Sequence, residues 1–217
     1  MSNPIHVETP VLYAAPLSGY AYKAALMLRL VGLEHELRLI DLSMPRAARP
    51  AEFRAVAKFD EVPVLLIDGL AICQSNVICE YLARRESTLQ EGDESQRLKV
   101  REWLAWESER MGLNLAHACF AHQFGTHPAA VAQWYEHRAM QDLERMREVL
   151  SKRSFLVGDH ATVADVACYA WLPYAHATGV LDTVSQDVLD WMARIAELPG
   201  FATPHTVFGS IVRETMA

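Results

Sequence analysis

Residues 61–75, Glu-Val-Pro-Val-Leu-Leu-Ile-Asp-Gly-Leu-Ala-Ile-Cys-Gln-Ser, constrain the fold of this chain more than any other segment. A proline at the head of an apolar β run removes a ladder donor. Pro63 therefore belongs at a strand start, and X-Pro is the kind of bond that tolerates cis. The backbone of Val62 is thereby left free for a ligand. Asp68-Gly69 supplies a turn into a second short strand, and Gln74-Ser75 stand directly before residues 76–83, Asn-Val-Ile-Cys-Glu-Tyr-Leu-Ala, whose apolar spacing is helical. A helix beginning at Ser75 presents unpaired amides and the positive end of its dipole. That end suits a carboxylate lying beside an exposed strand edge.

Upstream, residues 9–14 read as a strand, 20–30 as a helix with Ala and Leu faces, and 36–41 as a second strand with Leu37 and Leu39 on one face. A helix-like stretch at 51–58 leads to the strand starting at Val62, a short strand at 70–73 and a helix at 75–85. Residues 86–95 are polar, lack periodicity and read as a linker. Everything after it reads as helix: one long helix at 96–124 carrying Leu98, Trp103, Leu104, Trp106, Met111, Leu115 and Phe120, a turn at Gly125-Thr126-His127-Pro128, and a helix at 129–151. Thr162 followed by Asp165 reads as a capping box for a nearly all-apolar, buried helix at 163–172.

The strand, Pro, strand, turn, strand, Ser and helix order of residues 61–83 looks like the glutathione site of the cytosolic glutathione transferase family. Two later segments carry the resemblance over nearly the whole chain: Phe-Leu-Val-Gly-Asp with Thr-Val-Ala-Asp at 155–165, and the helix from Trp191 that ends at Leu-Pro-Gly. It implies an α/β N-terminal thioredoxin-like domain over residues 1–86. An all-α C-terminal helical domain over 97–217 would form the electrophile pocket. It also implies glutathione as cosubstrate, a small hydrophobic electrophile as partner, and a homodimer pairing the first domain of one subunit with the second of the other.

At the end of the first strand, Ser18-Gly19-Tyr20-Ala21-Tyr22-Lys23 resembles the Ser-Gly-Asn-Cys-Tyr-Lys of many bacterial, serine-type relatives of the theta, zeta and nu kind, with Tyr20 for Asn and Ala21 for Cys. A hydroxyl at a helix start can donate to a thiolate, so Ser18 is the expected activating residue. Lowering a thiol of pKa about 8.5 by roughly two units takes about 2.7 kcal/mol. One charge-assisted hydrogen bond supplies about 1.5–3 kcal/mol of that. Tyr20 is a rival hydroxyl or a wall of the electrophile pocket, and Tyr13 is a third candidate, because other classes use a tyrosine near the end of this strand. Ser18 as a plain helix cap is compatible with either role.

Val62, before Pro63, is expected to pair its backbone with the cysteinyl part of the tripeptide, as an added strand does. Gln74, where many relatives carry Glu, and Ser75 would hold the γ-glutamyl group. Residues 57–63, Ala-Lys-Phe-Asp-Glu-Val-Pro, replace a frequent Asn-Pro-x-Gly-Lys-Val-Pro. Lys58 and Glu61 fall within that stretch, and Lys58, Arg46 or Arg49 could supply the missing cation for the glycyl carboxylate. Tyr20, Trp106, Met111, Leu115 and His122 are expected around the electrophile, although a Met and aromatic stripe at helical spacing also suits plain core.

Composition narrows the alternatives. The chain is 51% hydrophobic over 217 residues and can bury a sizeable core. Its net charge of -7 comes without a basic block or aromatic-basic alternation, which argues against nucleic acid as a partner. No stretch reaches the about 20 apolar residues of a membrane span, and residues 1–6 lack the pattern of a secretory signal, so the expected location is cytoplasmic. Cys73, Cys79, Cys119 and Cys168 are scattered without a Cys-x-x-Cys pair and read as reduced thiols. His117 and His122 are five apart with no matching carboxylate, so no metal is expected.

The expected activity is addition of the glutathione thiol to a hydrophobic electrophile. Two alternatives remain: glutathione as a recycled cofactor for isomerisation, dehalogenation or disulfide reduction, and a non-catalytic glutathione-binding or regulatory module.

Overall fold

The computed structural model describes residues 9–90, 92–125 and 128–209. Strand β1 (Val11–Ala14) leads into helix α1 (Gly19–Leu30), then β2 (Glu36–Leu39), α2 (Ala51–Val56), β3 (Val64–Ile67), β4 (Leu70–Cys73) and α3 (Ser75–Glu86). The sheet order is β2-β1-β3-β4, with β1 parallel to β2 and both other pairings antiparallel. This is the βαβ unit followed by a hairpin that the sequence predicts.

Strand alternation gives the sheet two buried faces. Leu12, Ala14, Leu65 and Ile67 meet α1 and α3, whereas Val11, Tyr13, Val64 and Leu66 pack with Phe53 of α2. The Val62–Pro63 bond is cis, and β3 begins at Val64, two residues later than predicted. Pro63 lacks the donor that continuing the ladder would need.

The second part is helical: α4 (Glu94–Glu109), α5 (Met111–Phe124), α6 (Ala129–Leu150), α7 (Val163–Tyr169), α8 (Gln186–Ala196) and α9 (Pro204–Phe208), with 3-10 turns over Leu172–Thr178 and Val180–Thr183. Its core side chains, among them Val100, Leu104, Leu115, Trp171 and Trp191, belong to the same cluster as Leu12 and Leu65. The sheet and the bundle therefore share one continuous core, in which each fully buried Leu-sized side chain contributes about 1.5–3 kcal/mol.

The single helix expected over 96–124 is two. Arg110 leaves helical geometry (φ -123, ψ -91), and its guanidinium donates to Asp142 of α6 at 2.9 Å. Gly112 then brings the start of α5 so close to α4 that a Cβ there would lie 2.2 Å from Glu107 Oε1. A second correction concerns 163–172, where the α-helix stops at Tyr169 and the chain continues as a 3-10 turn containing Pro173. The capping box is present as read. Asp165 accepts from the Thr162 amide at 2.9 Å, and every residue of α7 is buried.

All four cysteines are free thiols. Burial pushes the Cys79 and Cys119 thiols up to about 12 and Cys168 well above its ordinary value. No described helix is long and apolar enough to cross a membrane, and no group of three metal-ligating side chains occurs among the described residues. Residues 1–6, Glu91 of the predicted linker, Thr126 and His127 of the predicted turn, and residues 210–217 of the predicted second domain lie outside the described residues.

Candidate functional site

Where α1 and α3 face α4, they leave a cleft of about 440 Å³, within the range of small-molecule sites. Tyr20 of α1 lines one side, Glu61, Val62 and Pro63 another, Gln74, Ser75 and Asn76 a third, and Ser108 of α4 closes it. Val62 lies outside β3 and makes no backbone hydrogen bond of a turn or loop among the described residues. Gln74 is held at φ 71, a region that non-glycine residues seldom occupy, and its side chain does not cap α3. Ser75 is buried at the first position of α3. The side chains of Tyr20, Gln74 and Ser75 make no hydrogen bond with the described residues, and all three line the same cavity. Gln74 is exposed, and the polar atoms of all three are open to the cavity, where water or a ligand meets them.

Tyr20 stands edge-on to Trp171 (5.1 Å between ring centroids), and Lys23 Nζ lies 5.3 Å from the centre of its ring. Burial, followed by the charges of Glu107 and Glu61, pushes the phenol far above its ordinary range. The hydroxyl thus stays protonated and can act only as a hydrogen-bond donor or acceptor. Ser18 is the N-cap of α1, where its Oγ accepts from the Ala21 amide at 3.2 Å. It is 4% exposed and is not part of the cleft wall.

The remaining sequence candidates are not gathered here. Tyr13 points to the opposite face of the sheet, packs on Phe53, and its hydroxyl accepts from Arg38 at 3.1 Å. Strand alternation is the cause, since Leu12 and Ala14 take the face toward α1. Met111 and Leu115 are fully in the core. Trp106 borders a separate groove with Arg110 and Gln141, and His122 pairs with Glu136 on the outside of the bundle. Met111 and Leu115 continue the buried stripe of Val100, Leu104 and Glu107 across the break at Arg110, and so belong to the core.

Lys58 is exposed against the Phe59 ring. Arg49 donates to the Asp60 carbonyl at 2.7 Å, while Arg46 lies 3.9 Å from Glu61 on the surface.

Sequence reasoning missed the buried polar junction behind the cleft. Lys23 Nζ, fully buried in α1, donates to Glu107 Oε2 and to Asn76 Oδ1, each at 2.7 Å. The Asn76 amide in turn donates to the Leu104 carbonyl, Glu107 Oε2 and Ser108 Oγ at 2.9–3.0 Å. A signal was present in the spacing: Glu107 falls on the core stripe Val100, Leu104, Met111, Leu115, and Lys23 stands among buried Ala and Leu. A charge on a core stripe needs a buried partner.

Comparison with known proteins agrees with this architecture. The glutathione S-transferase N-terminal domain model matches residues 17–85, and the C-terminal domain model of the same family matches 128–202. The chain is 25% identical over 199 residues to the disulfide-bond oxidoreductase YfcG of Escherichia coli, covering 87% of this chain and 90% of that protein. It is 28% identical over 203 residues to a probable glutathione S-transferase, GSTF2, of Oryza sativa, covering 84% and 91%. A solved glutathione S-transferase from Xanthobacter autotrophicus superposes with a TM-score of 0.79 at 27% identity, covering 92% of this chain and 98% of that one. With its thioredoxin-like sheet, its helical second part and its matches to both domain models, the chain belongs to the glutathione transferase family.

Proposed function

We propose that the cleft binds glutathione and that the protein is an enzyme adding its thiolate to a hydrophobic electrophile. The observation that carries this is the set of unpartnered polar groups, Tyr20, Gln74 and Ser75, around a cavity edged by the free backbone of Val62. Such a set matches an extended γ-glutamyl peptide. Val62 would pair with its cysteinyl backbone, and Ser75 with the α3 amides would receive its γ-glutamyl carboxylate. Gln74 would bond the adjoining amine and carboxylate.

Tyr20 rather than Ser18 would face the thiol, because its hydroxyl lines the cavity and that of Ser18 does not. Ser18 would shape the turn, its own proton still available as a second donor. Catalysis would be thiolate stabilisation and positioning. The reading extends to a homodimer in the cytoplasm, with residues 1–86 and 97–217 as its two domains.

Calorimetric titration tests the binding step. Ser75→Ala should weaken glutathione binding about tenfold to a hundredfold, by loss of a charge-assisted hydrogen bond. Unchanged affinity would remove Ser75 from the site. For the activating step, Tyr20→Phe should raise the titration midpoint of the bound thiol by about one to two pH units, followed by thiolate absorbance. A shift of that size in Ser18→Ala with none in Tyr20→Phe would reverse the assignment.

A second reading is favoured by the likeness to the Escherichia coli disulfide-bond oxidoreductase. Here two glutathione molecules would reduce a disulfide to two thiols and leave as glutathione disulfide, instead of one being joined to an electrophile through a thioether. Identifying the product, a thioether conjugate or glutathione disulfide, separates the two.

A further inference from the structure

We propose that Lys23, Glu107 and Asn76 are positioning residues of the cleft, the buried pair clamping the first turn of α3 against α4 so that Ser75 meets its ligand in a fixed place. This rests on the reading that glutathione occupies the cleft. Three helices line the cavity beside the 59–63 segment, and each contributes one member of the junction: Lys23 from α1 one turn after Tyr20, Asn76 from α3 directly after Ser75, and Glu107 from α4 directly before Ser108.

Asn76 borders the cavity, yet every polar atom of its side chain is engaged. Its carbonyl oxygen accepts from Lys23, and its amide donates to Leu104, Glu107 and Ser108. It therefore has no group left for a ligand and serves as the clamp. Ser75, its neighbour, has no partner among the described residues. The junction thus fixes the one residue and leaves the other presented.

Stability alone does not account for the pair. Lys23 and Glu107 are 0% and 1% exposed, and Glu107 Oε1 is buried without a partner. Taking such charges out of water costs about as much as their attraction returns, and apolar residues of similar volume commonly serve a core equally well. What an apolar pair could not do is grip the Asn76 side chain. Without that grip the amide and carbonyl of Asn76 would turn toward water in the cleft, and the first turn of α3 would lose its registration on α4.

The test uses the full chain, with glutathione as probe. The variants are Lys23→Met/Glu107→Leu, which replaces the pair by apolar volume, Ser75→Ala, and all three changes together. Calorimetry reads affinity and thermal unfolding reads stability. The expected result is a Lys23→Met/Glu107→Leu protein melting at or above the wild-type temperature that binds glutathione about tenfold more weakly. The triple variant should be no weaker than Ser75→Ala alone, since both changes act on the same contact. Asn76→Ala gives a second route with both charges kept, and should show the same loss and the same non-additivity with Ser75→Ala.

Wild-type affinity in either variant, or losses that simply multiply with Ser75→Ala, would overturn this inference while leaving the cleft assignment intact. No binding by the wild-type protein would overturn both.

Discussion

Replacing Asp165 with asparagine should destabilise the protein by about 3–5 kcal/mol, as much as replacing it with alanine, because either change strands buried donors. The carboxylate is fully buried at the head of α7. Its Oδ1 accepts from the Leu156 amide and from Trp191 Nε1, both at 2.9 Å. Its Oδ2 accepts from the Thr162 amide at 2.9 Å and the Thr162 hydroxyl at 3.1 Å. An asparagine converts one of these two oxygens into a donor, and whichever it is then faces donors. The isosteric change is therefore no milder than truncation.

Burial raises the Asp165 pKa, and the four hydrogen bonds act in the opposite direction. The consequence is global because the bonds tie the 155–157 segment, the start of α7 and the Trp191 anchor of α8 to one point in the shared core. A loss of that size corresponds to about 6–20 °C in melting temperature for a chain of this length. A thermal scan of the Asp165→Asn variant showing only a few degrees of change would mean that water replaces the lost acceptor.

What could be read from the sequence was whatever local chemistry determines. The cis-tolerant Val62–Pro63 step, the Asp68–Gly69 turn, the helix start at Ser75 and the Thr162–Asp165 cap each depend on residues within a few positions of one another, and each stands where it was expected. Tyr13 lies away from the cleft, because the face a strand residue takes is fixed by the pleat and by what packs above it. Leu12 and Ala14 claim the side toward α1.

Of the residues expected around the electrophile, Tyr20 lines the cleft, whereas Trp106, Met111, Leu115 and His122 do not. The helix expected to carry the last four is broken at Arg110, where Gly112 lies against Glu107 and the guanidinium donates to Asp142. Asp142 lies 32 residues further on, and nothing near position 110 announces it. The Lys23–Glu107 pair lies between these cases. Each charge was visible on an apolar stripe, but matching them across 84 residues required the fold.

The other large effect expected is at Gly19, where alanine should lower kcat/KM by about a hundredfold, the usual cost of moving a reacting group by about 1 Å. Gly19 is the first residue of α1, between the Ser18 cap and Tyr20, and its backbone lies flat against Trp171. A Cβ there would stand 2.3 Å from Trp171 Cδ2 and 2.7 Å from Cε2. The ring cannot give way easily. It is 1% exposed and held by Tyr20, Phe120 and Tyr174 at centroid distances of 5.1–5.8 Å, and the Tyr174 hydroxyl bonds the Pro16 carbonyl at 2.9 Å. The start of α1 must therefore lift, carrying Tyr20 with it.

Val62 and Ser75 sit on other elements, so glutathione affinity should change far less than turnover does. That split separates a displaced thiol donor from general damage. Trp171→Leu in the same chain removes the obstructing ring atoms and should recover part of the activity that Gly19→Ala loses, even though Trp171→Leu alone opens a cavity and costs stability. Wild-type turnover in Gly19→Ala would show that the turn tolerates the shift. It would also show that the packing of α1 on Trp171 is not what holds Tyr20 in the cleft.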